Sequence, residues 1–404
     1  MPPRSLRSLP PEGALAAARR SRIRARPWWE RVLRRLIDRW RGVAGSVLAG
    51  SAASTGSTAA SGATLPEDKA EAIFHVYDGG GVQATGPALL VRKSLFDRVS
   101  VSAQYYVDAV SNASIDVVTT ASPFKEKRTA YDFSAETVVR DSTLSVSLSR
   151  STEPDYTADA IGFDVAHEVF GGMSTVSMGF TRAHDQVGKK GVAGWIDKAR
   201  HWQYRAGLTQ ILSPRWLVSA NAEVISDDGY LGSPYRVARV FGAAVPERNP
   251  RTRTGRAVKF RSITDTGAWV ARSSFRAEYR YYWDTWDIKA QTFEFGGSKY
   301  LGQSFLLDAS VRSYSQTKAL FYSDNAQSET LYISRNRQLS TFKSTSLLAK
   351  LSYTLSGMPT GYDVKLTGAY ELKRFRFNDF TDLRTGGLYS YNASVVQVYV
   401  SANF

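Results

Sequence analysis

Charged residues recur at spacings of two or four within two stretches, 259–261 and 272–280, assigned to two consecutive strands, and these are the parts of the sequence best suited to chemistry. The basic members are Lys259, Arg261, Arg272, Arg276 and Arg280, with Glu278 among them. In a β-strand an even spacing places side chains on one face. Facing a water-filled lumen, such a set would favour anions. The alternative is a series of arginine–acid pairs that stiffens the wall. Asp308 and Arg312 extend the set of predicted lumen-lining residues.

Other reactive residue types form no recognisable site. The chain has no cysteine, which excludes disulfides and thiolate metal sites. Its four histidines are scattered, without metal-ligand spacing; they are His75, His167, His184 and His201. A lipid-cutting barrel needs a serine–histidine pair oriented by a third group, and no H-x-S pattern occurs. We therefore expect no enzyme, metal or cofactor, with an outer-membrane lipid hydrolase as an open alternative.

The elements that would position these residues alternate with a period of two. In the segment Trp269–Trp283 one face is mostly apolar and has aromatic residues at both ends, as expected for the interfacial girdles of a lipid-facing strand. The other face carries Arg272, Arg276, Glu278 and Arg280. Similar alternation begins near Glu71 and recurs in about sixteen segments. The pattern predicts membrane-spanning strands with apolar residues outward and polar residues inward.

Such strands must form a closed barrel if they cross a membrane. No window of 18 or more apolar residues exists, so spanning helices are not expected. In hydrocarbon every backbone N–H and C=O must be paired within the protein, and strands achieve this only as a closed sheet. We predict an all-β, transmembrane, antiparallel up-and-down barrel of about 16 strands, with 14 or 18 as the neighbouring solutions.

The predicted connections alternate between short and long, which is typical of periplasmic turns and extracellular loops. Short turns are expected near 96–98, 140–142, 171–173, 213–215, 265–267, 300–303 and 357–361. Longer connections are expected at 110–128, 185–199, 227–254, 317–338 and 375–391. An even number of strands would place both ends of the barrel domain on the short-turn side.

The final residues alternate up to Phe404. One face of this final segment carries Val396, Val398 and Val400, and Phe404 lies on the same face. A terminal strand that ends in an aromatic residue resembles the C-terminal signal that barrel insertion machinery reads in bacterial outer-membrane proteins. Val398, Val400 and Phe404 are accordingly the expected insertion signal.

The net charge of +15 is concentrated at the beginning of the chain. Residues 1–46 contain twelve arginines, no lysine and three acidic residues. A basic segment, a short semi-apolar segment and small residues follow one another in the order of a secretory signal. We interpret 1–63 as an arginine-rich leader with a signal peptide and a Ser/Ala/Gly-rich linker, and 64–404 as the barrel. A downstream translation start or a disordered basic tail is the alternative. Basic charge in a leader gives no support to nucleic-acid binding by the fold.

Two connections carry unusual composition. The segment 111–123 is too apolar for an ordinary solvated loop, and its candidate constriction residues are Ser111, Ile115, Asp116, Thr119 and Pro123. It would fold into the lumen or extend two strands as a hairpin. The connection 227–254 is arginine-rich, so it would bind an anionic group such as a lipopolysaccharide phosphate, or would be a solvated outer loop.

Several segments resemble a family of bacterial outer-membrane proteins catalogued only as a domain of unknown function. They are Asp78–Ser94, Tyr105–Tyr131, Arg140–Asp159, Ser233–Arg239, Pro250–Thr254, Ala277–Ile288 and Phe321–Asp324. The similarity covers essentially residues 66–404. It implies a barrel and an outer-membrane location but no ligand, activity or functional residue. Members of this family are sometimes encoded beside flavin-transfer and thioredoxin-like periplasmic proteins, which implies an envelope redox context.

The sequence thus favours a porin-like channel or conduit for small hydrophilic or anionic solutes. Expected partners are the lipid bilayer, lipopolysaccharide and the barrel insertion machinery, without nucleic acid. The alternative is a plugged structural barrel that partners a periplasmic redox or flavin-related assembly.

Overall fold

A closed antiparallel barrel of sixteen strands forms the molecule in the computed structural model, which describes residues 63–112, 124–192, 194–355 and 363–404. The barrel strands are β1 (Lys69–Gly79), β2 (Val82–Leu95), β3 (Val99–Asn112), β4 (Phe124–Val139), β5 (Ser142–Glu153), β6 (Tyr156–Val169), β7 (Ser174–Gly188), β8 (Ile196–Ser213), β9 (Trp216–Gly229), β12 (Thr252–Asp265), β13 (Ser273–Asp284), β14 (Lys289–Leu301), β15 (Phe305–Gln316), β16 (Phe342–Leu355), β17 (Asp363–Thr381) and β18 (Leu388–Asn403). A short hairpin, β10 (Val237–Val240) and β11 (Ala243–Pro246), and a 3₁₀ turn (Arg337–Leu339) lie in connections. The predicted fold class and strand number are confirmed.

Each strand pairs with its neighbours in the chain, and the ring closes between β1 and β18, where Lys69 lies opposite Asn403. β9 pairs directly with β12, so the β10–β11 hairpin stands outside the ring. Closure pairs the backbone groups of every barrel strand on both edges, which is the requirement for a sheet in hydrocarbon.

The outer surface of the barrel is covered by exposed apolar side chains. Representative residues are Phe74, Phe133, Phe163, Phe260, Leu347 and Val398. Exposed apolar patches on soluble monomers rarely exceed ~600 Å². A continuous apolar belt around a closed ring is stable only when hydrocarbon surrounds it. Among the described residues, no helix is long and apolar enough to cross a bilayer.

The predicted sorting of connections by length holds only in part, because the long-loop end also carries the short connections 80–81, 154–155 and 285–288. At the short-turn end they cover 96–98, 140–141, 170–173, 214–215, 266–272 and 302–304, and β1 begins and β18 ends there. The opposite, long-loop end carries the two longest described connections, 230–251 and 317–341. The β1–β2 connection at this end is short, because Gly80 and Gly81 adopt positive φ angles of 61° and 78° and close a tight hairpin. Gly80 and Gly81 therefore form the turn between β1 and β2.

Two predicted boundaries are wrong. The alternating segment 269–283 does not begin at Trp269: β13 starts at Ser273, and Trp269 lies in the preceding turn with 87% of its surface exposed. The long connection expected at 375–391 is reduced to 382–387, because β17 continues to Thr381. The arginine-rich leader, and the predicted turn at 357–361, fall outside the described residues.

Candidate functional site

An ionic ladder lines one side of the barrel interior on β9 and β12–β15. Its basic members are Lys259, Arg261, Arg276 and Arg280, and its acidic members are Glu223, Glu278, Glu294 and Asp308. Their neighbours in sequence, such as Phe260 and Phe275, are exposed on the outer face, so strand alternation turns the ladder inward. Register reinforces the grouping, because Arg261 lies opposite Glu278 on the adjacent strand.

Each basic residue of the ladder contacts an acid. Glu278 lies 2.9 Å from Arg261 and 3.6 Å from Lys259. Arg276 lies 2.9 Å from Asp308 and 3.7 Å from Glu294.

The remaining pair joins Arg280 to Glu223 on β9 at 3.3 Å. The four positive and four negative charges of the ladder therefore balance. The ladder mainly links neighbouring strands and presents little unpaired positive charge to the lumen.

Two predicted lumen residues lie outside these pairs. Arg272 lies in the turn before β13 with a φ of 54°, where its guanidinium donates to the carbonyl oxygen of Gly302 at 2.5 Å and stacks on Tyr300. The prediction that Arg272 lines the inner wall is wrong. That prediction assumed continuous alternation from Trp269, and the turn before β13 interrupts it. Arg312 lies on β15 opposite Glu294, beside the ladder.

Two long connections form a cap at the long-loop end, defined by residues 230–251 and 317–341. Their backbones are joined at two places. Phe241 donates to the carbonyl of Ala326 at 2.9 Å, and Arg248 and Ile333 exchange hydrogen bonds of 2.9 and 2.8 Å. Buried Ala238 and Val240 pack against Ile333 between them. The two connections therefore behave as one folded unit.

The cap rests on aromatic side chains that point inward from β17 and β18. Phe377 and Tyr389 form a buried cluster with Tyr322 and Leu339 of the cap. The hydroxyl of Tyr322 donates to the carbonyl of Asp379 at 2.9 Å. Burial and two nearby carboxylates raise the pKa of Tyr322, so it remains a donor at physiological pH. This packing explains why β17 extends beyond its predicted end.

A buried carboxylate lies at the end of β13, beneath the cap. The Asp284 side chain is fully buried and accepts hydrogen bonds from Arg253 and Tyr282 at 2.8 Å each. It also accepts from the backbone N–H groups of Trp286 and Ile288 at 2.9 and 3.0 Å. One acid thus joins β12, β13 and the following turn.

The cap also reaches the opposite side of the ring. The hydroxyl of Tyr235 contacts the carboxylate of Asp155 in the β5–β6 turn and accepts from the N–H of Lys190 at 2.7 Å. These contacts place cap residues across the mouth from β17.

A cavity of about 420 Å³ lies between the cap and the inner wall. Its cap-side residues include Arg236, Asn249 and Gln338, and its wall-side residues include Asp227, Arg253, Arg280, Tyr282 and Tyr314. Sequence reasoning missed this site. The aromatic content of 282–288 and the arginines of 236–253 were its only sequence signals, and neither indicates that two distant loops meet.

The arginines of the connection predicted to bind an outer anion are mostly paired within the protein. Arg248 lies 2.9 Å from Glu329, and Arg251 lies 2.7 Å from Asp197. The hydrogen bonds to Asp197 raise the pKa of Arg251. This pairing reduces the charge available to a lipopolysaccharide phosphate.

Only some of the remaining predicted residues lie in the described part of the chain. Ser111 lies near the end of β3, whereas Ile115, Asp116, Thr119 and Pro123 lie outside the described residues. Val398 and Val400 face outward at the end of β18. The Phe404 ring lies 5.0 Å from the ammonium of Lys93.

One serine–histidine pair is exposed on the outer face of the barrel near the short-turn end. The Ser142 hydroxyl lies 2.8 Å from Nδ1 of His167. Within the part of the chain that the structure describes, no acid contacts the other ring nitrogen, so the third group of a catalytic relay is missing there.

The chain is similar to one protein family and to several solved structures. Residues 192–370 match the family described as "Protein of unknown function (DUF3570)", which confirms the resemblance to a family of unknown function. No curated protein matches the chain.

Solved structures with a similar fold include the siderophore receptor PirA from Pseudomonas aeruginosa, with 11% identity, a TM-score of 0.42, and coverage of 79% of this chain and 60% of that one. This chain therefore spans about 60% of the receptor's length. A bacterial polysaccharide outer membrane secretin has 9% identity, a TM-score of 0.49 and coverage of 83% and 98%. The outer membrane protein opdK from Pseudomonas aeruginosa has 10% identity, a TM-score of 0.39 and coverage of 83% and 98%.

Proposed function

We propose that this protein is a bacterial outer-membrane channel that conducts small hydrophilic solutes, including anionic ones, through a lumen narrowed by its cap. The observation that carries the proposal is the polar, charged inner wall on β9 and β12–β15, which leads to the polar cavity under the cap. A barrel of this strand number has an interior wide enough for water unless side chains or loops fill it.

The outer-membrane location is part of the same proposal. Its support is the exposed apolar belt together with the placement of the two longest described loops at one end of the barrel. In this orientation the cap would face the cell exterior and the seam between β1 and β18 would begin at the periplasmic face. The insertion machinery would then meet Val398, Val400 and Phe404 at that face.

The test is a planar-bilayer recording of the refolded barrel, residues 64–404. We expect discrete conductance steps that rise with salt concentration. A barrel that is demonstrably folded and inserted yet shows no steps would contradict the channel proposal.

A plugged structural barrel is the second candidate, and the cap favours it. Backbone hydrogen bonds between residues 241 and 326 and contacts from Tyr235 to Asp155 hold the cap over part of the mouth. Such a barrel would anchor a periplasmic assembly at its short-turn end. Absence of conductance, together with a periplasmic redox protein that copurifies with the native barrel, would support this second reading.

A further inference from the structure

Arg236 is the charged residue of the cavity lining that has no ion-pair partner among the described residues. It is half-buried on the cap side, and within the described residues its guanidinium takes part in no ion pair and no hydrogen bond. The other charged lining residues are paired: Arg253 with Asp284, Arg280 with Glu223, and Asp227 with His201. A partly desolvated cation without a counter-charge is costly unless a ligand supplies one.

A nearby phenol does not supply that charge. Burial, with the carboxylates of Glu247 and Asp197, raises the pKa of Tyr230 to about 12. Tyr230 is therefore neutral at physiological pH and cannot pair with Arg236 as an anion.

A second cavity residue has an unused polar atom. The side-chain N–H of Asn249 donates to the carbonyl of Leu231 at 2.9 Å, which fixes the orientation of the amide. Its carboxamide oxygen is buried and accepts no hydrogen bond within the described residues. An unsatisfied buried acceptor destabilises the protein, and a hydrogen bond from a ligand hydroxyl would remove that cost.

The rest of the lining suits a polyhydroxylated ring. Tyr282, Trp286 and Tyr314 contribute aromatic side chains to the lining, and the exposed side chain of Gln338 has no hydrogen bond within the described residues. The volume of about 420 Å³ lies within the ~300–1,000 Å³ typical of small-molecule sites.

We infer that the cavity under the cap is a binding site for hydroxylated organic acids of the sugar-acid class, with the carboxylate on Arg236 and a hydroxyl on Asn249. The inference rests on the proposed function, because it gives the channel a preferred solute. A guanidinium binds a carboxylate through two parallel hydrogen bonds, whereas a neutral sugar leaves the cation unpaired.

Binding is measured by calorimetry on the detergent-solubilised barrel, which does not depend on conduction. The probes are galacturonate, galactose and galactose 1-phosphate. We expect galacturonate to bind at least tenfold more tightly than galactose. Arg236→Gln should abolish this preference, because the neutral amide cannot replace the charge.

Arg239→Gln is the matched control. Arg239 lies on the same hairpin, but its guanidinium donates to the carbonyl of Gly242 at 2.8 Å and does not line the cavity. Its change should leave galacturonate binding unaltered. Gln338→Leu, which changes a lining residue of the other cap connection, should weaken galacturonate binding but not binding of the unhydroxylated cyclohexanecarboxylate.

The possible outcomes separate this inference from the channel proposal. Equal binding of galacturonate and galactose, preference for the sugar phosphate over the acid, or full binding by the folded Arg236→Gln protein would overturn the inference even if conductance is observed. Selective binding lost in Arg236→Gln would support the site even if bilayers stay silent.

Discussion

Glu278 shows how a single residue decides the electrostatic character of the inner wall. It contacts both Lys259 and Arg261, so its single negative charge offsets one of the two positive charges that it contacts. The anion preference expected from the basic residues alone is therefore reduced in the native protein.

Glu278→Gln should make the channel more anion-selective. One unit charge at ~6 Å in water is worth about 0.7 kcal/mol, which changes the local concentration of an ion roughly threefold. We expect a shift of this order in the anion-to-cation permeability ratio, measured as the reversal potential in a KCl gradient.

Glu329→Gln is its control, since Glu329 pairs with Arg248 on the exposed surface of the cap. An unchanged reversal potential in Glu278→Gln would show that the ladder does not face the conducting path.

At the scale of elements, Asp68 contacts β2 through its carboxylate and the end of β18 through its backbone carbonyl, at the short-turn end of the barrel. Its carboxylate accepts hydrogen bonds from the Lys93 ammonium and the Ser94 N–H, and its carbonyl accepts from the N–H of Phe404 at 3.1 Å. Burial alone would raise the pKa of Asp68, but the hydrogen bonds outweigh it and lower the pKa below the ordinary value.

The lowered pKa determines the pH dependence of the contact between Asp68 and β2. A lowered pKa in the folded state stabilises the fold above the ordinary value of 3.8, and that stability is lost as the pH falls through the lowered value. Asp68→Asn should reduce the free energy of unfolding at pH 7 by about 1 kcal/mol, allowing for solvent screening. The difference from the native protein should vanish well below pH 3.8 in urea unfolding. A difference that persists at pH 2 would refute this role of the carboxylate.

The cap is the element whose removal should change conduction most. Replacing residues 320–338 by a short Gly-Ser linker removes the backbone pairing to the β10–β11 hairpin but leaves β15 and β16 intact. We expect a larger single-channel conductance, because a folded unit no longer narrows the mouth. A conductance equal to that of the native protein would place the narrowest point elsewhere.

At the scale of the whole molecule, the closed ring should resist detergent until it is heated. All barrel strands are paired on both edges, so no strand edge is open to start unfolding. Unboiled and boiled samples are expected to migrate differently on SDS gels, with the native protein in the outer-membrane fraction. Identical migration together with soluble fractionation would contradict the membrane assignment.

The ring could be predicted from the sequence because alternation of apolar and polar residues is a local signal that each strand carries by itself. The same signal misled where it continued through a turn: Trp269 and Arg272 keep the alternation although β13 begins only at Ser273. The inward-facing Phe375 and Phe377 break the apolar-outward rule, since they pack under the cap, and β17 was therefore ended too early.

The ladder and the cavity differed in how far they could be predicted. The ladder residues lie on neighbouring strands, so their register followed from the meander. The cavity depends on contacts between residues near 240 and 330, and loop sequences carry no periodicity that would pair them. Arg236 was visible only as one arginine among several.

The seam described above also sets the order of events when the protein folds. Glu67 and Asn403 meet across it although they are 336 positions apart in the chain. Contacts of such long sequence separation form slowly, because the entropy of the whole intervening chain must first be lost. The barrel therefore stays open until the last strand has formed, and its apolar strands are prone to aggregation during that time. Until β18 pairs with β1, the unpaired strand edges favour aggregation.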